Sequence, residues 1–341
     1  QMFETKSGLR TIATLLITAA ISIAATTPAQ AVTPYPKTVD YLSAQFIDGK
    51  YVVGFTPGKA DFGMTLEAML QLLAAGKDAK TQSKAVAYNL QNSAALGTWD
   101  SKVGTLYTPD KRLNVADAAK YLFTAAAFKL ENSALVKSVL ATVKTHIAKD
   151  GSVLTVPDNS VASSQNIYTS AWLVLALKAL KQNVLAEKVA VNLTGFSVAK
   201  TGGFADSQTD ATAGASPDAT GLALQALGAT RNLGSKAEET KKNLTTTSAR
   251  SWLSKNAQAD AAGKFFSSWG DWSANSTGYA AMGLKATGSN IAPYSKWLVS
   301  KISSADSGIQ AGSWSAGAGN AYATIQGYVA MIGKSYLDLI K

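Results

Sequence analysis

Apolar positions in this chain fall into long, nearly unbroken blocks. These alternate with segments that carry a single apolar stripe, and the alternation recurs about every fifty residues. Six blocks open on an Asp or Asn: Asp61, Asn114, Asn166, Asp218, Asn275 and Asn320. Such a residue suits a helix N-cap, because its side-chain oxygen accepts from the unpaired amides of the first turn. With the six caps superimposed, the fifth residues beyond them are Leu66, Ala119, Ala171, Ala223, Ala280 and Ile325. The ninth are Leu70, Phe123, Leu175, Leu227, Leu284 and Val329. Small residues early let neighbouring helices approach, and large ones later fill the space between them. Each block therefore predicts a helix buried on more than one side.

Between the blocks lie helices of the other kind. In Val184 to Ala199 one stripe holds Leu185, Val189 and Leu193, while Glu187 and Lys188 face away. Thr38 to Phe46, Ala79 to Asn92, Leu135 to Ala148, the flanks of Ala249 to Lys255, and Pro293 to Ile302 are comparable. One-striped helices belong outside and all-apolar ones inside. Six such pairs predict an all-α fold, a six-repeat α/α toroid of two concentric rings. No linker divides it, so one domain is expected from about residue 38 to 338, with strands rare.

Gly202-Gly203-Phe204, followed by Pro217 to Leu227, resembles the repeat of prenyltransferases and squalene oxidases, and Asn275 to Ala281 resembles the next copy. Asp61 to Ala68 is similar to exported actinobacterial members of the group. The resemblance implies the terpenoid-cyclase and protein-prenyltransferase type of toroid over nearly the whole chain. It also implies catalytic sets that can be sought residue by residue. The Asp-x-Asp-Asp acid motif of the cyclases does not occur, and the Asp, Cys and His zinc triad of the prenyltransferases has no cysteine to use. On these grounds the chain is expected to be a non-catalytic ligand-binding or interaction module, with no cofactor and no metal. The alternative is an envelope enzyme, terpenoid cyclase-like or polysaccharide-cleaving, that works with cavity carboxylates.

Composition narrows the chemistry. Of 341 residues, 47% are hydrophobic and 16% charged, which suits a large core and excludes a disordered chain. The absence of cysteine removes disulfides and thiolate chemistry together. The single histidine, His146, is expected on the surface of an outer helix. Lys6 and Arg10 precede the apolar run Thr11 to Ala25 and the small-x-small site Ala29-Gln30-Ala31. Residues 1–31 therefore read as a signal peptide, and 32–341 as the toroid domain of a secreted or envelope-associated bacterial protein without a transmembrane segment. The formal charge of +10 is scattered, with no basic run interleaved with aromatics. It suggests anionic envelope polymers rather than nucleic acid.

Inner-helix positions three, six and ten past the cap share a face and hold the polar residues. Position three reads Met64, Asp117, Thr169, Gly221, Gly278 and Ala323. Position six reads Glu67, Lys120, Trp172, Leu224, Ala281 and Gln326, and Lys285 stands at position ten of the fifth repeat. A polar-lined central cavity follows. Glu67 and Asp117 are the candidates for an acid–base pair, opposed by Lys120, which is expected to lie between them and lower both carboxyl pKa values. The loop acids Asp206, Asp210 and Asp271 are expected to be solvated. The ligand set expected at the mouth is Glu67, Asp117, Lys120, Tyr168, Trp172, Phe204, Asp218, Trp269, Trp272, Trp314, Tyr322 and Gln326, taking a small apolar or sugar-like ligand or an envelope partner. Export predicts that secreted protein starts at Val32. N-terminal sequencing of culture supernatant checks this, and a start at Met2 or Phe3 would refute it.

Overall fold

The computed structural model describes residues 33–91, 113–154, 166–206 and 214–341. The leader with its cleavage site, and Asp210, lie outside the described residues. Twelve α-helices occur among those described. The even-numbered ones form the inner ring: α2 (Phe62–Ala74), α4 (Val115–Ala127), α6 (Ile167–Ala179), α8 (Pro217–Ala229), α10 (Ala274–Ala286) and α12 (Ala321–Met331). Each packs on the next, and α12 packs back on α2, which closes the ring. The outer helices are α1 (Pro36–Ala44), α3 (Ser83–Val86, continued by the π turn Ala87–Gln91), α5 (Ala134–Thr145), α7 (Asn183–Leu193), α9 (Lys236–Asn256) and α11 (Ala292–Ser300). No helix among the described residues is long and apolar enough to cross a membrane.

Short extended segments lead from outer to inner helices. Two of them form antiparallel three-stranded sheets: β1 (Phe46–Ile47), β2 (Tyr51–Val53) and β3 (Ala60–Asp61), and then β4 (Gln258–Asp260), β5 (Gly263–Ser268) and β6 (Asp271–Ser273). One hydrogen-bond device recurs. A buried threonine four residues past the helix cap accepts the amide of the incoming segment: Val52 N to Thr65 Oγ1, Phe204 N to Thr220, Phe266 N to Thr277 and Ile309 N to Thr324, all at 2.8–2.9 Å. In three of these the hydroxyl also donates to the cap carbonyl, of Asp61, Ser273 or Asn320. Each such threonine fixes the loop over its own helix without leaving a buried polar group unpaired.

Four of the six expected caps stand as read: Asp61, Asn114, Asn166 and Asn320 accept first-turn amides. The other two are corrected. Ser216 caps α8 and Ser273 caps α10, so Asp218 and Asn275 sit inside the first turn. Serine caps as well as Asx, and Pro217 fits the first helical position because its missing N–H has no partner to lose there. The two-residue slide rotates the lumen set of both helices. Position six becomes Glu67, Lys120, Trp172, Leu222, Tyr279 and Gln326, and Lys285 is exposed instead of facing the lumen. His146 is also corrected. It is 3% exposed, at the C-terminal end of α5, with Nδ1 2.8 Å from the Leu154 carbonyl.

The segment Tyr336–Leu339 packs on α2, α8 and α10 and closes one end of the lumen. Tyr336 is fully buried. Its amide donates to Gln225 Oε1 (3.0 Å), and its ring lies 5.1 Å from that of Trp172. Helices α8 and α10 approach closely, because a Cβ on Gly221 would overlap the carbonyl of Tyr279. Helix propensity alone favours Ala over Gly by about 1 kcal/mol. Overlap with a backbone carbonyl outweighs it, so Gly221→Ala should destabilise the protein by roughly 1–3 kcal/mol in urea denaturation. A stabilised variant would show that this contact is loose.

Candidate functional site

A cavity of about 590 Å³ opens at the end of the ring where the inner helices begin. Two turns of helix build its wall. Tyr168, Asp218, Asn275 and Tyr322 stand two residues past their caps. Glu67, Lys120, Trp172, Tyr279 and Gln326 stand six past, one turn deeper. Among the described residues, the mouth is made by the loops of the fifth and sixth repeats, with Ser268, Trp269, Asp271 and Trp272 on one and Ala311 and Trp314 on the other.

The floor is organised around Glu67, which is 2% exposed. Lys120 Nζ donates to Oε1 at 2.5 Å. The Tyr279 hydroxyl donates to Oε2 at 2.7 Å, and the Tyr336 hydroxyl lies 3.4 Å from the same oxygen. Burial, reinforced by the Glu67 charge, raises both tyrosine pKa values well above the ordinary value, so both hydroxyls remain donors. Lys120 is held charged: burial opposes its charge, but Glu67 and Asp117 together raise its pKa. Its ammonium also sits 5.5 Å from the Trp172 ring centroid.

Asp117 departs from expectation. Its pKa is not lowered. Burial raises it to about 7, the nearby Asp61 adds to the rise, and Lys120 only partly offsets it. Its carboxyl accepts from Asn114 Nδ2 at 2.7 Å and lies behind Lys120, near Gly63, outside the cavity lining. Asp61 is raised as well, by burial first. Asp218, on the lining, is likewise raised by burial, against a 2.7 Å hydrogen bond from Ser276 Oγ to Oδ2. Tyr322, edge-on to the exposed Phe55, is pushed up to about 12 by burial and by the Glu67 and Asp218 charges.

Asp271 has the opposite environment. Ser313 donates to Oδ2 through its amide and its hydroxyl, both at 2.7 Å, and Trp272 N donates to Oδ1. These bonds hold its pKa below the usual carboxylate range. It is a tie between two loops rather than the free, solvated acid expected. Asp206 is also engaged, accepting from the Tyr168 hydroxyl at 3.1 Å.

Of the residues singled out from sequence, Glu67, Lys120, Tyr168, Trp172, Asp218, Trp269, Trp272, Trp314, Tyr322 and Gln326 line one cavity. Asp117 lies behind the wall. Phe204 is fully buried in the core and does not reach the cavity. Sequence reasoning missed Tyr279, Asn275 and Ser276 because the cap of their helix was placed two residues late. The signal available was Ser273, which precedes Thr277 by the same four residues that separate Asp61 from Thr65.

No family model and no curated protein sequence matches the chain. Solved structures do. The chain is similar to unsaturated glucuronyl hydrolase from Bacillus sp. GL1, with a TM-score of 0.56 at 11% identity over 87% of this chain and 94% of that one. It is similar to D-mannose isomerase, with a TM-score of 0.60 at 10% identity over 90% and 96%. It is also similar to the GH76A α-1,6-mannanase from Salegentibacter sp. HEL1_6, with a TM-score of 0.58 at 10% identity over 90% and 98%. A variant of that mannanase inactivated at two aspartates was solved with α-1,6-mannotriose. The fold is thus an α/α toroid shared with glycosidases. The expectation of a non-catalytic binding module is corrected by these matches. It rested on missing terpenoid and prenyl catalytic sets, whereas the solved toroids of this shape include sugar hydrolases and a sugar isomerase.

The Asp117 finding has a consequence for stability. A carboxyl whose folded pKa lies above its unfolded value of about 4 weakens the fold as pH rises from there to about 7, and the loss is complete above that. Asp117→Asn should be more stable than the wild type at pH 8, on the order of 4 kcal/mol, with the gap closing near pH 4. Thermal denaturation at the two pH values checks this, and a gap independent of pH would contradict it.

Proposed function

We propose that the chain is a carbohydrate-cleaving enzyme in which Asp218 is the proton donor and Glu67 the anionic partner. The observation that carries the reading is Asp218: a carboxyl raised by burial, supported by Ser276 and standing on the wall of a cavity lined with indole and phenol rings. Glycoside cleavage needs a protonated acid to give its proton to the leaving oxygen and a second carboxylate facing the sugar ring that becomes electron-poor. Asp218 on the upper turn and Glu67 on the lower supply the two. Lys120 and Tyr279 fix the second one in place through both of its oxygens.

The Gly202-Gly203-Phe204 and Pro217 to Leu227 segments support a common descent with the prenyltransferase and squalene-cyclase toroids. The ionic floor supports a hydroxyl-rich substrate over a terpenoid one, because an apolar chain offers nothing to the buried polar groups of Glu67, Lys120 and Gln326. The leader read from the sequence supports action outside the cytoplasm.

The test is release of reducing ends from a panel of polysaccharides. Asp218→Asn should lower the rate by about 10²–10⁴-fold, the usual worth of a positioned acid. The wild-type rate should fall as pH rises through the raised Asp218 pKa, because the donor must begin protonated. Full activity in Asp218→Asn, or no cleavage of any polymer by the wild type, overturns the reading.

A further inference from the structure

The rim of the cavity holds two tryptophans that the fold itself does not use. Trp269 is fully exposed, at the tip of the β5–β6 turn, with a left-handed backbone (φ 55°) beside Gly270 at φ 80°. A bulky residue with positive φ is disfavoured, and an indole in water returns no burial energy. Trp314, 69% exposed, stands on the loop of the sixth repeat. Ser313, next to it, donates twice to Asp271, two residues from Trp269. One carboxylate therefore mounts both indoles on the same frame, and both belong to the cavity lining.

The interior sets the charge of what enters. Lys120 is the one cation among the described lining residues, and Glu67 already holds it at 2.5 Å. Among the described lining residues, a uronate or sulfate would meet the carboxylates of Glu67 and Asp271 with no unpaired cation to receive it, and an uncompensated buried charge is strongly unfavourable. Gln326 is 5% exposed, and its Oε1 accepts from no described protein group. The residue belongs to the cavity lining, so the wall presents a neutral amide there rather than a second charge, which suits a sugar hydroxyl.

Resting on the reading of the cavity as a sugar site, we infer that it takes a chain of uncharged sugars. One unit reaches Gln326, and the chain leaves across the indoles of Trp269 and Trp314. Sugar rings stack on indole faces because their C–H faces are apolar while their hydroxyls remain in water. The formal charge of +10 pulls the other way, toward anionic polymers, but it acts from the outer surface and is screened by salt.

The experiment is calorimetric titration of the wild type, Trp269→Ala and Trp314→Ala in about 0.3 M salt, which shortens the screening length below that of physiological buffer. The probes are mannan, dextran, laminarin and xylan, with polygalacturonate as the charged comparison. At least one neutral polymer should bind with polygalacturonate at least tenfold weaker, and each tryptophan variant should weaken that binding fivefold or more. Trp269 supports no core packing, so its variant should fold, and an unchanged helical circular dichroism spectrum confirms this. Tighter binding of polygalacturonate, binding by both variants as tight as that of the wild type, or binding of no neutral polymer overturns the inference. Trp-dependent binding without cleavage keeps it while removing Asp218 as proton donor. Cleavage indifferent to both tryptophans does the reverse.

Discussion

A carboxylate can sit at 2% exposure within a ring of apolar helices only if donors reach its oxygens. Glu67 satisfies that condition with groups from distant parts of the chain. Lys120 comes from the second repeat, Tyr279 from the fifth, and Tyr336 from the segment after the sixth. No local stretch of sequence brings these together. Only a closed ring does, so the burial of Glu67 and the closure of the toroid are the same constraint. Gln71, one turn further along α2, extends the floor by donating to the Tyr336 hydroxyl.

This dependence explains the position of the site. At the far end of the lumen, Tyr336–Leu339 fills the space, and its ring contacts with Phe123 and Trp172 make that end part of the core. At the near end the helix N-termini leave polar first-turn residues facing one another, and the loops before them carry the aromatics. Among the described residues, the cavity therefore opens at this near end. The glycine at position 221 tightens the wall near Tyr279, so the donor to Glu67 stands on one of the closest helix pairs of the ring.

The repeat was legible in the sequence because caps and apolar registers recur, and four Asx caps stand where the pattern put them. The fourth and fifth repeats misled because each holds an Asx two residues after a serine, and both types can cap. A threonine stands four residues past the cap in four of the six repeats and resolves the ambiguity: Thr65, Thr220, Thr277 and Thr324 align only if Ser216 and Ser273 are the caps. Tyr279 then falls on the lumen with Glu67 and Lys120. The Asp117 pKa was not legible, since it depends on how deeply the carboxyl sinks behind Lys120 and on Asp61 across the helix pair. The sequence registers charge neighbours, but desolvation is a property of the packed wall.

The error about function had a different origin from the error about register. Testing a fold against the catalytic sets of one group of its users shows only that those chemistries are missing. Terpenoid and prenyl chemistries need a strong acid cluster or a metal, and both leave distinctive residue strings. Glycoside chemistry needs two carboxyl groups in contrasting surroundings, and the contrast comes from the environment rather than from a string. Asp218 and Glu67 lie in different repeats and in different turns of their helices. One is raised by burial with a single serine donor beside it, and the other is surrounded by an ammonium and two phenols. A pair of that kind leaves no sequence motif, and it becomes visible only once the ring has set the fourth repeat's first turn above the first repeat's second.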